Sequence, residues 1–207
     1  MKLDAGSALP LFPLRTVLFP DGLLGLKVFE ARYLDLVARC LREARSFGVI
    51  CLRQGAEAGR SGEAVLFESV GVQAQLLEVD SESAGILRVR CQGARRFRLR
   101  GEPSQEANGL WTASIAEVDP DPVRVPAAAM FKTVQALAQA IASLRDKGQL
   151  PFAEPFRLDD AGWVANRWCE LLPISLAAKQ KLMELDDPAV RLSLVDGYLR
   201  DKRVVTD

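Results

Sequence analysis

Along the first 120 residues, apolar and polar positions alternate with a period of two in several short runs, and a single stretch keeps a helical period. Leu9 to Leu14 (LPLFPL) and Leu23 to Val28 read as short strands separated by the turn signal Phe19-Pro20-Asp21-Gly22. Pro10 and Pro13 remove backbone donors, so the first strand is expected at a sheet edge or interrupted. From Glu30 the period changes. Tyr33, Leu34, Val37, Cys40, Leu41 and Ala44 recur at helical spacing, with Arg32, Asp35, Arg39, Arg42 and Glu43 largely on other faces. Phe47 to Leu52 is a compact apolar run that reads as a buried strand. Gln54 to Glu63, with three glycines and no large apolar residue, reads as a loop. Alternation resumes at Val70, Val72, Ala74 and Leu76, then at Leu87, Val89 and Cys91, at Phe97 and Leu99, and at Trp111, Ala113 and Ile115. Several short strands with one helix predict an α+β chain built on a small barrel or curled antiparallel sheet.

The pattern switches at Asp119-Pro120-Asp121-Pro122, which predicts a boundary between a β-domain, residues 1–120, and a helical bundle, residues 121–207. Met130, Phe131, Val134, Leu137, Ala138, Ile141 and Leu144 form an apolar stripe between Pro126 and the stop Lys147-Gly148. A second helix is expected after Asp159-Asp160, a third capped by Ser175, and a fourth opening at Asp187-Pro188. No internal repeat or low-complexity tract interrupts this order.

Composition narrows the chemistry. Lys plus Arg and Asp plus Glu both number 27 and histidine is absent, so the net charge is zero. That balance speaks against a strong global field for nucleic acid or anionic membranes. The absence of histidine excludes Ser-His-Asp, Cys-His and H-E-x-x-H arrangements. The four cysteines at 40, 51, 91 and 169 have no C-x-x-C spacing and read as small buried hydrophobes in a reducing compartment. Asp4, Pro10 and Pro13 interrupt the apolar run a signal peptide needs, and no segment approaches the ~20 apolar residues of a membrane span. A soluble, cytoplasmic protein is expected.

Few local constellations suggest chemistry. Ser175 and Lys179 are spaced as a Ser-Lys pair, but Ser175 sits where a helix cap belongs. Asp159-Asp160, Asp186-Asp187 and Asp119 with Asp121 fall at helix starts or turns, where Asp is favoured without catalysis. No catalytic, metal or cofactor residue is assigned. The strongest charge feature is Arg88, Arg90, Arg96, Arg98 and Arg100, with Arg95 beside them. A turn at Gln92-Gly93-Ala94 would join two rows into a basic hairpin surface able to meet phosphates. The competing reading is a solvated face balanced by Glu68, Glu78 or Glu82. Trp163 and Trp168 suit either a protein-binding patch or core packing, with core packing the commoner use.

Three segments, in order, carry a resemblance. The opening Leu9 to Tyr33 (LPLFPLRTVLFPDGLLGLKVFEARY), the central Val70 to Val79 with Ile86 to Leu99, and the closing Trp163 to Leu185 resemble the Lon N-terminal domain family. This is the substrate-binding region of Lon proteases. Glu30, Arg32 and Tyr33 match the family's F-E-x-R-Y segment, with Tyr33 expected to pack inward. No G-x-x-x-x-G-K-[ST] loop is present; Gly55 to Ser61 is one residue short and carries Arg for Lys. The resemblance implies a PUA-like β-domain followed by a helical bundle. It also implies a free-standing, non-enzymatic module, without cofactor or metal. Its expected ligands are unfolded or hydrophobic polypeptide segments, or a partner protein. The alternative is an RNA-binding module using the arginine hairpin.

Overall fold

The computed structural model describes residues 8–55, 57, 65–149 and 151–206. The chain divides into two compact units, Met1–Asp119 and Pro120–Asp207. Most of the expected loop at 54–63, including most of the phosphate-loop-like string, lies outside the described residues, as does the N-terminal stretch 1–7.

The first unit is a nine-stranded mixed sheet with one long helix, an α+β arrangement. In chain order these are β1 (Leu9–Leu14), β2 (Leu23–Val28), α1 (Ala31–Glu43), β3 (Phe47–Gln54), β4 (Leu66–Phe67), β5 (Val70–Ser83), β6 (Ile86–Leu99), β7 (Ser104–Gln105), β8 (Trp111–Ala113) and β9 (Ile115–Glu117). The main path runs β2-β6-β5-β3-β1-β8-β7, with β4 on β3 and β9 on β6.

Two expectations are corrected here. The sheet is not wholly antiparallel, because β1 and β3 run parallel. Nor is β1 an edge or interrupted; it is continuous between β3 and β8. The two ladders overlap only at Leu11, β8 covering Leu9–Leu11 and β3 covering Leu11–Leu14. Each proline therefore lies where one flank is unpaired, and its donorless nitrogen can face that flank.

Strand alternation splits the buried residues between two sides of this sheet. Leu9, Leu11, Ile50, Phe97 and Ala113 form one cluster. Phe97 fills its centre, and the backbone gives way to it: a Cβ at Gly71 would lie 2.5 Å from the Phe97 ring. On the other side Phe12 stacks on Tyr33 at 4.0 Å between centroids, which seats the Tyr33, Leu36, Val37 and Cys40 face of α1. Tyr33 packs inward at 3% exposure, as its place in the sequence suggested.

The second unit is helical: a 3-10 turn at Ala128–Met130, then α2 (Phe131–Asp146), α3 (Ala161–Leu171), α4 (Leu176–Glu184) and α5 (Pro188–Asp201). Asp160, Ser175 and Asp187 each cap the helix that follows by accepting from backbone amides. α3 is buried on every side from Ala161 to Cys169, so Trp163 and Trp168 are core residues and not a surface patch. Phe131 does not belong to the α2 stripe. It is 67% exposed, and Thr133 turns inward instead, bonded to Asp196.

Candidate functional site

The long hairpin β5–β6 extends with β2 into a three-stranded sheet end, and register sorts its side chains onto two faces. Leu24 pairs with Cys91, Leu26 with Val89 and Val28 with Leu87 on one side; Leu76 and Val79 of β5 pair with the same Cys91 and Val89. These eight residues therefore share a face. Val28, Val89 and Cys91 are buried, whereas Leu24, Leu26, Leu76, Val79 and Leu87 are only half-buried. Burial pushes the Cys91 thiol up to about 12, so it is a neutral, inert part of this face. Phe29, directly after β2, is 60% exposed.

β2 is the end strand of the sheet path, and among the described residues it pairs only with β6. No other described strand pairs with its outer edge, so the backbone groups there make no sheet hydrogen bonds to a described strand. Sequence reading found β2 as a strand but not its place, because strand order depends on pairings far apart in the chain.

The opposite face is charged and self-neutralising. Lys27 donates to Glu82 at 2.8 Å, Arg88 lies 3.6 Å from the same carboxylate, and Arg90 meets Glu78 at 3.0 Å. The hydrogen bond from Lys27, with Arg88 nearby, holds the Glu82 carboxyl below its ordinary range.

The arginine hairpin takes a different form from the one expected. Gln92-Gly93-Ala94 is not a turn; β6 runs unbroken through it, and the hairpin turn lies between Ser83 and Ile86. Gly93 is needed for a close approach, since a Cβ there would lie 2.2 Å from the Phe19 carbonyl oxygen. Arg88 and Arg90 are exposed and paired with Glu82 and Glu78, and Arg95 pairs with Glu117 at 3.0 Å. Arg96 is buried at 4% exposure, so it is not on any surface row. Arg98 and Arg100 stay exposed. The five arginines do not converge on one patch.

The remaining candidates resolve as architecture. Ser175 accepts from the Ala178 amide at 3.2 Å, and Lys179 is half-buried and donates to the Glu170 carbonyl at 3.1 Å. Asp121 pairs with the buried Arg191. All four cysteines are buried and free. Among the described residues no His, Cys, Asp and Glu cluster could hold a metal ion, and no helix is long and apolar enough to cross a membrane.

Residues 8–201 match the ATP-dependent protease La (LON) substrate-binding domain. The chain belongs to the Lon substrate-binding domain family. The Lon protease of Anaeromyxobacter dehalogenans is 28% identical over 212 residues, covering 99% of this chain and 24% of that protein. Lon protease 2 of Myxococcus xanthus is 28% identical over 209 residues, covering 99% of this chain and 25% of that protein. The chain thus spans about a quarter of the length of these Lon relatives. The crystal structure of a Lon N-terminal domain protein from Xanthomonas campestris superposes with a TM-score of 0.74 at 31% identity, covering 93% of this chain and 98% of that one. The N-terminal domain of the Mycobacterium avium complex Lon protease shares the fold, with a TM-score of 0.61 at 18% identity, covering 94% and 99%. The Lon family match falls on a substrate-binding domain, so this chain is a binding module and not a catalyst.

Proposed function

We propose that the protein binds extended, apolar polypeptide segments, using the outer edge of β2 and the half-buried face beside it. The observation that carries this reading is one strand, Leu23–Val28, that has an edge unpaired among the described strands and places Leu24 and Leu26 on a half-buried apolar face. Main-chain pairing along an edge does not depend on ligand sequence, while side-chain positions on one face select for apolar residues. Together they suit a ligand class defined by exposure and hydrophobicity. The Lon family membership supports the same reading. The free, buried cysteines fit a reducing compartment, and we place the protein in the cytoplasm.

The test is fluorescence anisotropy with a reduced, carbamidomethylated polypeptide that cannot refold, alongside a short single-stranded RNA, each at low and high salt. Saturable polypeptide binding that survives salt is expected. Leu24→Asp with Leu26→Asp should weaken it by about tenfold or more, since each buries a charge on binding. Lys27→Glu, on the opposite face, should leave it unchanged. RNA binding that collapses with salt and with Arg98→Glu would overturn the proposal and move the function to the arginine surface.

A further inference from the structure

The outer side of α1 carries two adjacent stripes. Residues on a helix advance by roughly 100° each, so the buried Tyr33, Leu36, Val37 and Cys40 set the inner face. Beside them, Leu34 and Leu41, with Ala31 and Ala38 further round the helix, form an apolar stripe, with Leu41 54% exposed. Arg32, Asp35, Arg39 and Arg42 form a polar stripe alongside. This polar stripe borders a cleft of about 210 Å³ that is also lined by Ala38, by Asn108 and by the buried Leu36 and Leu110.

The charges around this cleft are not balanced. Arg32 is engaged, pairing with Glu30 at 2.7 Å and donating to the Gly109 carbonyl at 2.9 Å. Arg39 is half-buried and Arg42 exposed, and neither has an acidic partner among the described residues. The single acid in the lining is Asp35. With Arg32 and Glu30 cancelling, two guanidinium groups against one carboxylate leave a net single positive charge. The Asn108 side-chain oxygen accepts from the Leu110 amide at 2.9 Å, which fixes its NH2 group as a donor at the rim.

We infer that this cleft takes a carboxylate of a bound polypeptide, while the Leu34 and Leu41 stripe takes an apolar residue near it. The ligand class is then an apolar polypeptide that also carries an acidic side chain or its own C-terminal carboxylate. A monoanion matches the net charge, planar guanidinium groups suit a carboxylate, and the Asp35 carboxylate repels a phosphate dianion. A half-buried arginine without an acid gains most from an arriving anion, because part of its desolvation has already occurred. This inference rests on the polypeptide-binding reading above and adds a second recognition element to it.

The test uses the whole chain and one short leucine- and alanine-rich peptide, fluorescein-labelled at its N-terminus, in three forms. The first has an internal glutamate and an amidated C-terminus; the second has glutamine and a free C-terminal carboxylate; the third has glutamine and an amide. At low salt at least one carboxylate form should bind about fivefold or more tightly than the neutral form. Which form gains identifies the source of the carboxylate. Arg42→Gln should erase the gain while leaving the neutral peptide unchanged, and Arg39→Gln should do the same. Asp35→Asn should enlarge it, an increase that a merely structural role for these residues does not produce. Equal binding of all three forms overturns the cleft but not the polypeptide reading, whereas silence from all three overturns both. Inorganic phosphate competing more strongly than acetate overturns the assignment to carboxylates.

Discussion

Arginine serves opposite ends in the two units. In the helical unit Arg191 is 1% exposed, and all five of its N–H donors are engaged. It bonds Asp121, the Asn166 side chain and the carbonyls of Leu182 and Leu185, so it ties the extended segment before α2 to α3, α4 and α5. In the β-rich unit Arg39 and Arg42 border a cleft that Asp35 also lines, and neither makes an ion pair among the described residues. A guanidinium out of water is stable only when paired, so complete satisfaction marks architecture and incomplete satisfaction marks capacity for a ligand. Residue type alone does not separate the two; the partner set does.

The sharpest way to break this comparison is to remove Arg191. Arg191→Met keeps the volume but removes the guanidinium that the Asp121 carboxylate and the Leu182 and Leu185 carbonyls accept from. Breaking a buried pair on one side typically costs about 3–5 kcal/mol, and urea unfolding should show that loss. Arg39→Gln and Arg42→Gln should each stay within about 0.5 kcal/mol of the parent, as helix-surface changes do. An Arg191→Met protein as stable as the parent would remove the distinction between the two sets.

A middle-sized effect concerns the inner face of the helix that carries the cleft. The Tyr33 hydroxyl is buried with no hydrogen-bond partner among the described residues, and burial pushes its pKa from 10.0 to about 12. The folded state therefore resists ionisation more than the unfolded state does. Its contribution is fully present below pH 10, then falls as the pH rises from 10 to about 12. A shift of this size corresponds to roughly 2–3 kcal/mol. Tyr33→Phe should flatten that alkaline decline and should not weaken the protein at neutral pH, since it removes an unsatisfied buried group. An unchanged alkaline profile in the variant would show that the hydroxyl is solvated, and with it the base of the cleft helix.

The fold was legible where it depended on local signals. The period change at Glu30 and the caps Ser175 and Asp187 each act within a few residues, and each appears where the chain places it. What stayed hidden depended on distant partners. Gly93 looked like a turn because glycine favours turns, but here it makes room for the Phe19 carbonyl, far earlier in the chain. Pro10 and Pro13 looked like marks of an edge, yet two ladders of limited overlap accommodate them inside the sheet. Arg39 and Arg42 read only as part of the polar faces of a helix because the rest of their cleft's lining arrives far along the chain, at Asn108 and Leu110. The place of β2 at the end of the sheet path was invisible for the same reason, since alternation reveals a strand but not its neighbours.

The smallest effect tests the paired charges on β6 against the unpaired ones on α1. Arg88 and Arg90 are exposed, each with an acid on a neighbouring strand, and exposed pairs gain little because water screens them. Arg88→Ala and Arg90→Ala should therefore each change stability by no more than about 0.5 kcal/mol. Their effect on binding should be equally small for any anionic peptide, because Glu82 and Glu78 already occupy the guanidinium groups and a ligand would have to displace them. Arg42→Gln should reduce the same binding several-fold despite an equally modest effect on stability. If the three substitutions weaken anionic peptides alike, binding follows overall charge and not a shaped cleft. If only Arg42→Gln does, the lack of an ion pair among the described residues is what makes an arginine on this surface available to a ligand.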